Sequence, residues 1–225
     1  MRFSAIEVAA AVGGELDGLD VELTNVTIDS RAVEPGSLFV AVVAKRDGHV
    51  YVPHAVQAGA SAYLTSEPPA DVEAAAIVVA DTAEGLLALG RHARSRLPDR
   101  VIGITGSVGK TTVKDLARAA LAPRYAVHAS DKSFNNELGV PLTLANAPDD
   151  TDVTVVEMGA RGRGHIALLA DVARPAIGVV TAVELAHTEL FGSLEEVAAA
   201  KGELVESLPD TGVAKIGRAS CRERV

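Results

Sequence analysis

A glycine-rich loop between an apolar strand and a helix constrains this chain more than any other sequence feature. The run GITGSVGKTT at 103–112 overlaps the end of the strand-like run VIGIT and leads into a helix predicted over 110–121. Loops of this kind direct backbone N–H groups at phosphate oxygens, while Lys110 adds a positive charge and Thr111 a hydroxyl for magnesium. The glycines are spaced G-x-x-G-K-T rather than G-x-x-x-x-G-K-[ST], so an ordinary glycine-rich turn stays the alternative interpretation.

The sequence around this loop has the rhythm of an α/β fold. Continuous apolar runs are typical of parallel strands that are covered on both faces, and such runs occur at 101–105, 126–129, 153–157 and 176–181. Helices are predicted between or after them, at about 110–121, 137–146, 164–173 and 194–208. The pattern predicts a mostly parallel, doubly wound domain, which binds ligands at the carboxyl ends of its strands.

The N-terminal part of the chain predicts a small mixed α/β domain. Its first helix begins at Ser4, because Ser4 and Glu7 have the spacing of a capping box and two glycines supply a stop. Further strands are predicted at 21–28, 38–43, 62–65 and 76–80, and helices at about 53–58 and 82–97. The turn-forming run LPDR at 97–100 places a domain boundary between 1–98 and 99–215.

The last ten residues follow neither rhythm. The run IGRASCRERV at 216–225 holds three arginines and the one cysteine, and it resembles translated cloning or sequencing adapter more than protein sequence. We therefore predict a non-native tail and a longer natural gene product, with a native basic tail as the alternative. Cys221 is assigned no function.

Charge and composition exclude several classes of protein. The 225 residues carry 21 Lys plus Arg against 30 Asp plus Glu, and this net charge of −9 argues against nucleic-acid binding, which needs clustered positive charge. Hydrophobic residues make up 48% of the chain, as in folded globular proteins. No apolar run approaches the roughly 20 residues of a membrane span. The N-terminal segment is a poor match to a secretory signal, and a single cysteine cannot form an internal disulfide. Both features predict a cytoplasmic location.

Five further polar residues of the predicted second domain lie at a strand end, in a loop ahead of a helix, or on a helix. Glu157 ends the strand VTVVE, where a carboxylate beside a phosphate loop is placed to hold magnesium. Asn135 and Asn136 precede a helix, and their amides can recognise phosphate, sugar or carboxylate groups. His187 lies in the loop after the last apolar strand, ahead of a helix that carries Lys201.

These residues also have plainer interpretations. A strand-end acid is often simply solvated, a lone loop histidine is more often a hydrogen-bonding group than a ligand, and asparagine is a favoured helix cap. Ligand binding by Glu157 and His187 is therefore favoured only in combination with the glycine-rich loop.

Four runs, in this order and spacing, resemble the Mur ligase family of peptidoglycan synthesis: TGSVGKTT, SFNNELGVPLTL, VVEMGARGRGHI and AHTELFGSLEEVAAAKGE. The run VTIDSRAVEPGSLFVAV, followed by RDGH, resembles the family's uridine-nucleotide-binding domain. The resemblance covers about residues 1–216. It implies a small mixed α/β N-terminal domain followed by the N-terminal part of a P-loop, mostly parallel doubly wound central domain. By the same resemblance, the family's third domain is expected to be missing from this chain.

The resemblance also implies roles for individual residues. ATP would be bound by the loop residues Gly106, Ser107, Val108, Gly109, Lys110, Thr111 and Thr112, together with Asn135 and Asn136. Magnesium would be bound by Thr111, Glu157, His187 and a carbamylated Lys201, and the catalytic residues would be Lys110, Lys201 and His187. The UDP moiety would lie near Ser30, Arg31, Asp47, Gly48 and His49.

The implied reaction is the ATP-dependent addition of D-alanyl-D-alanine to UDP-N-acetylmuramoyl-tripeptide through an acyl phosphate. The full-length protein is expected to be a monomer, and the present chain to be inactive alone. Three alternatives stay open: another amino-acid ligase of the family, a noncatalytic fragment that binds a nucleotide or UDP-sugar, and a GTPase switch. The last is disfavoured because the sequence has no N-K-x-D guanine motif.

Overall fold

The computed structural model of the protein describes residues 1–130, 134–184 and 192–217. The chain divides into two compact units. The first comprises Met1–Arg96 and Leu144–Asp149, and the second comprises Leu97–Thr143 and Asp150–Val225. The short segment 144–149 thus belongs to the first unit, although it follows the glycine-rich loop in sequence.

The first unit is built on a five-stranded mixed sheet. Its strands are β2 (Glu15–Asp17), β4 (Asn25–Thr27), β5 (Ser37–Val40), β6 (Ala60–Thr65) and β7 (Ala75–Val78), in the order β2-β7-β6-β5-β4. The β2–β7 pair is antiparallel and the other three pairs are parallel. A separate antiparallel pair joins β1 (Phe3–Ser4) to β3 (Glu22–Leu23). The helices are α1 (Ala5–Val12), α2 (Val52–Gln57) and α3 (Thr82–Ser95), with a 3₁₀ turn at Gly48–Tyr51.

The capping residues of α1 behave as the sequence predicts. The Glu7 N–H donates to the Ser4 hydroxyl at 3.2 Å, and the Ser4 N–H donates to the Glu7 carboxylate at 3.4 Å. Gly13 follows the helix with a φ of +66°, in the left-handed region that glycine adopts without steric cost. These two ends limit α1 to eight residues.

Two predicted strands of this unit differ from their apolar runs. The run 21–28 splits into the short strands β3 and β4. The run 38–43 ends as a strand at Val40, because the chain then turns back on itself. The Val42 N–H donates to the Val40 carbonyl at 3.0 Å, and the Gly48 N–H donates to the Val42 carbonyl at 3.0 Å. Strands β1 and β2 are too short to give a periodic signal.

The edge strand β4 is bonded by a side chain rather than by another strand. The Val26 N–H donates to the Asn146 carboxamide oxygen at 2.8 Å, and the same carboxamide donates to the Val26 carbonyl at 2.8 Å. One side chain thus makes both hydrogen bonds that a neighbouring strand would make at this position. This contact explains why the segment 144–149 belongs to the first unit.

The second unit contains a fully parallel sheet, as its apolar runs predict. Its strands are β8 (Val101–Thr105), β9 (Val127–Ala129), β10 (Val153–Glu157), β11 (Ile177–Val180) and β12 (Val213–Ile216), in the order β12-β11-β8-β10-β9. The helices of this part of the chain are α4 (Lys110–Leu121), α5 (Gly139–Ala145), α6 (His165–Ala173) and α7 (Leu194–Glu206). Within the described residues of the protein, no helix has the length and apolar character needed to cross a membrane.

The register of this sheet brings the ends of three strands together. Glu157 on β10 pairs with Ile104 on β8, and Val180 on β11 pairs with Thr105 on β8. The segments that follow these strands therefore emerge at one edge of the sheet, where doubly wound folds bind their ligands. This is the edge at which the sequence predicts the functional site.

The last strand crosses the predicted start of the tail. β12 ends at Ile216, which pairs with Val180 on β11. Ile216 therefore continues the sheet, whereas the sequence assigned it to the segment 216–225. Residues 218–225 lie outside the described residues, and a non-native origin for them stays a prediction.

Asn146→Ala is expected to lower the free energy of unfolding by about 1–3 kcal/mol, because both backbone groups of the buried Val26 lose their partner. Urea unfolding of the chain would measure the change. Glu73→Ala, which truncates an exposed side chain of the same unit, is the control and should leave the unfolding midpoint unchanged. Equal midpoints for the two variants would contradict the role given to Asn146.

Candidate active site

The glycine-rich loop is held in place by the segment that follows β11. The Ser107 N–H donates to the Ala182 carbonyl at 2.8 Å, and the Thr181 hydroxyl donates to the Val108 carbonyl at 2.6 Å. Gly106 has a φ of +147°, and a Cβ added there would collide with the Thr181 hydroxyl oxygen. The loop therefore needs glycine at this position both for its backbone conformation and for the close approach of its neighbour.

Lys110 is the first residue of α4, and its ammonium group folds back over the loop. Its Nζ donates to the Gly106 carbonyl at 2.7 Å and to the Ser107 carbonyl at 3.4 Å. Burial lowers the pKa of Lys110, and the negative charge of Glu157 partly opposes this shift. The result is a partly desolvated cation beside the loop at the N-terminus of α4, an arrangement that favours anionic oxygens.

Glu157 is the buried centre of the site. The carboxylate is 1% exposed at the end of β10. Thr111 donates to its Oε2 at 2.9 Å, and the Asn135 side-chain amide donates to its Oε1 at 2.8 Å. The structure thus brings together three residues that the sequence had singled out in three separate motifs.

This group has the donor chemistry of a magnesium site. Mg²⁺ binds hard oxygen ligands and is commonly held in proteins by one or two carboxylates beside substrate phosphates. The Glu157 carboxylate and the Thr111 hydroxyl offer such oxygens next to the phosphate-type loop. His187, the third predicted ligand, lies outside the described residues.

Asn135 and Asn136 serve different purposes. Asn135 holds Glu157 through its side chain, and its backbone carbonyl accepts a hydrogen bond from the Gly159 N–H at 2.6 Å. The Asn136 side chain accepts a hydrogen bond from the Gly139 N–H at 2.9 Å, at the start of α5. Asn136 therefore makes the helix-capping contact that the plainer interpretation of the sequence predicts.

A cavity of about 160 Å³ lies over this network. Its lining includes the loop residues Gly106 and Ser107, the residues Asn135, Asn136 and Glu137, the segment Gly159, Ala160 and Arg161, and the side chains of Lys110, His165, Val197 and Lys201. Three of these residues are cations and Glu137 is the one carboxylate among them. The wall is therefore positively charged in a protein whose net charge is −9, which suits an anionic ligand.

Lys201 faces this cavity from α7. The residue is 4% exposed, and its pKa falls to about 8, first because it is buried and second because Lys110 repels its positive charge, while Glu203 acts in the opposite direction. At neutral pH its amine is therefore neutral far more often than that of an ordinary lysine. A neutral amine is the nucleophilic form of lysine.

Four charged or polar side chains of the site, those of Glu137, Arg161, His165 and Glu203, were not predicted from the sequence. Arg161 and His165 line the cavity, and the Arg161 N–H donates to His165 Nδ1 at 3.3 Å. Glu203 accepts hydrogen bonds from the Gly164 N–H at 2.7 Å and from the Ala167 N–H at 3.0 Å, which fixes the start of α6 against α7. All four lie within the motifs that resemble the Mur ligases, but nothing in the spacing of the sequence separates them from surface residues.

The candidate residues of the first unit form a separate group. Asp47 accepts hydrogen bonds from the His49 N–H at 2.9 Å and from His49 Nδ1 at 2.6 Å. The Ser66 N–H donates to His49 Nε2 at 3.0 Å, so both ring nitrogens of this buried histidine are already bonded. A Cβ at Gly48 would lie 2.6 Å from the Val42 carbonyl oxygen, so the turn requires glycine.

Ser30 and Arg31 follow β4 in the same unit. Ser30 is buried, whereas the exposed Arg31 guanidinium donates to both oxygens of Asp29, at 2.9 and 2.8 Å. The structure therefore gives Arg31 a local partner. Contact with a nucleotide by these two residues stays a prediction.

Sequence models of one family match most of the chain. The Mur ligase middle domain matches residues 104–221, and the Mur ligase family catalytic domain matches residues 22–96. The chain belongs to the Mur ligase family. The first match contains the glycine-rich loop, Glu157 and Lys201, and the second contains the candidate residues of the first unit.

Two similar curated proteins carry the same name. The chain is 41% identical over 202 residues to the UDP-N-acetylmuramoyl-tripeptide--D-alanyl-D-alanine ligase of Synechocystis sp., covering 88% of this chain and 44% of that protein. It is 39% identical over 204 residues to the Escherichia coli enzyme of the same name, covering 90% and 45%. The chain thus spans about half the length of the curated relatives it matches.

Solved structures of Mur ligases share the fold. Crystal structure I of MurF from Acinetobacter baumannii has a TM-score of 0.88 and 29% identity, covering 96% of this chain and 49% of that one. MurF ligase from Thermotoga maritima, solved in complex with ADP, has a TM-score of 0.76 and 30% identity, covering 85% and 45%. These likenesses extend over both units of the present chain.

We expect Gly106→Ala to lower the free energy of unfolding by about 1–3 kcal/mol, because the added Cβ meets the Thr181 hydroxyl in a backbone conformation that favours glycine. Urea unfolding followed by circular dichroism would measure this. Gly162→Ala is the matched control, since a Cβ there meets nothing within 4 Å and should leave stability nearly unchanged. A Gly106→Ala protein as stable as the control would show that the loop tolerates a side chain.

Proposed function

We propose that the complete protein carrying this chain is an ATP-dependent amide ligase that adds D-alanyl-D-alanine to UDP-N-acetylmuramoyl-tripeptide. The observation that carries the proposal is the buried Glu157 carboxylate, bonded to Thr111 and Asn135 beside a cavity that Lys110 and Lys201 line. Relatives that are about 40% identical and bear this name support the choice of substrates. The proposal places the protein in peptidoglycan precursor synthesis, in the cytoplasm and as a monomer.

The glycine-rich loop would bind the phosphates of ATP. Backbone N–H groups of the loop and of the start of α4 would donate hydrogen bonds to the phosphate oxygens. The residues that supply these groups and surround the phosphates would be Gly106, Ser107, Val108, Gly109, Lys110, Thr111 and Thr112. The Lys110 ammonium, held by two loop carbonyls, would exchange one of them for a phosphate oxygen. Support comes from the ADP complex of the similar Thermotoga maritima ligase.

Thr111 and Glu157 would hold magnesium, together with His187 and a modified Lys201. When bound, the ion would supply positive charge against the phosphate oxygens. The burial of Glu157 keeps its carboxylate in one orientation, because both of its oxygens are hydrogen-bonded. A ligand oxygen that is fixed before the ion arrives needs little reorganisation on binding.

The reaction joins a carboxylate to an amine, which requires activation of the carboxylate. ATP would supply this activation: the tripeptide carboxylate would attack the terminal phosphorus and release ADP, which forms an acyl phosphate. The amine would then attack the carbonyl carbon of the acyl phosphate, with loss of phosphate and a proton. Lys110 would stabilise the negative charge that moves during transfer, and Arg161 adds positive charge to the surrounding wall. The same wall attracts the carboxylate that is to be activated.

A carbamylated Lys201 would fit this environment. Reaction of its neutral amine with carbon dioxide forms a carbamate and releases a proton, so a cation becomes an anion. Lys110 already disfavours the cationic form of Lys201 by repulsion. The modification would turn this repulsion into an attraction and would add an oxygen ligand beside Glu157.

The first unit would bind the uridine nucleotide of the substrate near Ser30, Arg31, Asp47, Gly48 and His49. Support comes from the match of residues 22–96 to a domain of the family. Three hydrogen bonds fix His49 in the turn from Asp47 to His49. The close approach of the Val42 carbonyl to Gly48 further restricts the conformation of this turn. A fixed turn can present its backbone groups to a ligand with little entropic cost.

Lys110→Ala in the complete protein is expected to abolish ATP-dependent product formation, with a loss of at least about a hundredfold in turnover, because the charge that faces the transferred phosphoryl group is gone. Release of phosphate in the presence of both substrates would be measured. Arg118→Ala, which removes an exposed cation from the same helix, should retain wild-type turnover. Equal turnover in the two variants would refute the role of Lys110.

Carbamylation makes a separate prediction that depends on pH. Because the pKa of Lys201 is about 8, its neutral amine forms as the pH rises through that value, whereas an ordinary lysine stays protonated. In ¹³C-bicarbonate, a ¹³C carbamate resonance should therefore grow between about pH 7 and about pH 9. Lys201→Met should remove the resonance and Lys45→Met, at an exposed lysine, should keep it. Its persistence in Lys201→Met would assign the carbamate elsewhere.

A further inference from the structure

A second cavity adjoins the cavity that Lys110 and Lys201 line. It has a volume of about 250 Å³ and is lined by Glu137, Gly159, His165, Leu168 and Leu169. The first three of these residues also line the cavity that contains Lys110 and Lys201. The two cavities therefore share a wall, and ligands bound in them would lie side by side.

The two cavities differ in charge and polarity. The first presents three cations to its ligand, whereas the residues that line the second include no lysine or arginine. The second combines one carboxylate and one imidazole with two leucines from α6, of which Leu168 is 37% exposed. Its volume lies below the roughly 300–1,000 Å³ of sites for drug-sized ligands. This composition suits a small molecule with a cationic group and a short apolar side chain.

Glu137 is available to a cationic ligand. It accepts a hydrogen bond from the Arg161 guanidinium at 3.3 Å, and the two side chains are 39% and 60% exposed. An ion pair as exposed as this contributes little stability. A ligand ammonium group can therefore take the place of Arg161 at Glu137, which leaves the guanidinium for the anionic ligand of the first cavity.

His165 offers a hydrogen-bonding group to the second cavity. Its Nδ1 accepts a hydrogen bond from the Arg161 N–H at 3.3 Å, which leaves Nε2 as the ring nitrogen that carries a proton. His165 can therefore donate a hydrogen bond to a ligand of this cavity through Nε2.

We propose that the second cavity binds the amine substrate of the ligase, with Glu137 receiving its ammonium group and Leu168 and Leu169 contacting its methyl side chain. The inference rests on the proposed function, because that function supplies both an anionic substrate for the first cavity and an amine for the second. The shared wall of Glu137, Gly159 and His165 would place the amine beside the acyl phosphate formed from the substrate of the first cavity. Such placement lowers the entropic part of the barrier.

Glu137→Gln in the complete protein tests the contact with the ammonium group. The KM for D-alanyl-D-alanine should rise by about tenfold or more, because the ammonium group loses the negative charge of its hydrogen-bond acceptor. The KM values for ATP and for UDP-N-acetylmuramoyl-tripeptide should not rise, since the negative charge of Glu137 in the wall of the first cavity does not attract these anionic ligands. Glu137→Asp keeps the charge and should recover part of the loss, which a merely structural role of the side chain would not predict.

Two further variants complete the experiment. Glu206→Gln removes the same charge from an exposed position near the end of α7 and should leave every KM unchanged. Leu168→Ser replaces a half-exposed part of the apolar wall and should raise the KM for the dipeptide by about threefold or more. Thermal unfolding of each variant would verify that it is folded.

The outcomes separate the inference from the function on which it rests. If the wild-type protein forms product but Glu137→Gln has the wild-type KM for the dipeptide, the second cavity is not the amine site and the proposed function stands. If the wild-type protein uses another amine instead, the proposed substrate is wrong, and the same KM comparison with that amine still tests Glu137. If it uses no amine, both proposals are overturned.

Discussion

The buried carboxylate of Glu157 is the group on which the rest of the site depends. An anion that is 1% exposed is costly unless its oxygens are hydrogen-bonded, and here Thr111 and Asn135 each bond one of them. These partners come from α4 and from the segment that precedes α5, while Glu157 itself ends β10. One carboxylate therefore ties the glycine-rich loop, the asparagine motif and the central sheet into a single arrangement, and removal of any partner would leave buried charge unsatisfied.

Charge is distributed unevenly over this protein. The chain carries a net charge of −9, yet the cavity beside Glu157 is lined by three cations and one carboxylate. Two of the cations, Lys110 and Lys201, have lowered pKa values because of burial, and Lys110 further lowers that of Lys201. The cavity wall therefore carries an excess of positive charge, which favours the binding of phosphates, a carboxylate or a carbamate. The adjoining cavity, with Glu137 and two leucines, has the opposite preference. Because of this contrast, an anionic substrate and the ammonium group of a second substrate would bind in neighbouring cavities.

Much of the fold could be predicted because its elements are strongly patterned. The four apolar runs of the second unit correspond to β8, β9, β10 and β11. The observed helix α4 has the bounds 110–121 that the sequence predicts. Strand ends and edge contacts were predicted less well, because hydrogen bonds between residues outside a local pattern determine them. The strand predicted over 38–43 ends at Val40 because the chain turns there, and the contact of Asn146 with Val26 joins residues 120 positions apart. A local pattern contains no information about either contact.

For the site, the sequence by itself determined the chemistry of the principal groups: a phosphate-type loop with Lys110 and Thr111, a carboxylate at a strand end, and an amide ahead of a helix. Residue type and position relative to a strand suffice for this, because parallel strands end at one edge of their sheet. Tertiary structure alone decided which amide reaches Glu157, that Asn136 caps a helix instead, and that Lys201 is buried beside Lys110. It also brought Glu137, Arg161 and His165 to the cavity wall. The reason is physical: burial, pKa and pairing depend on neighbours in space, and these neighbours come from separate segments of the chain.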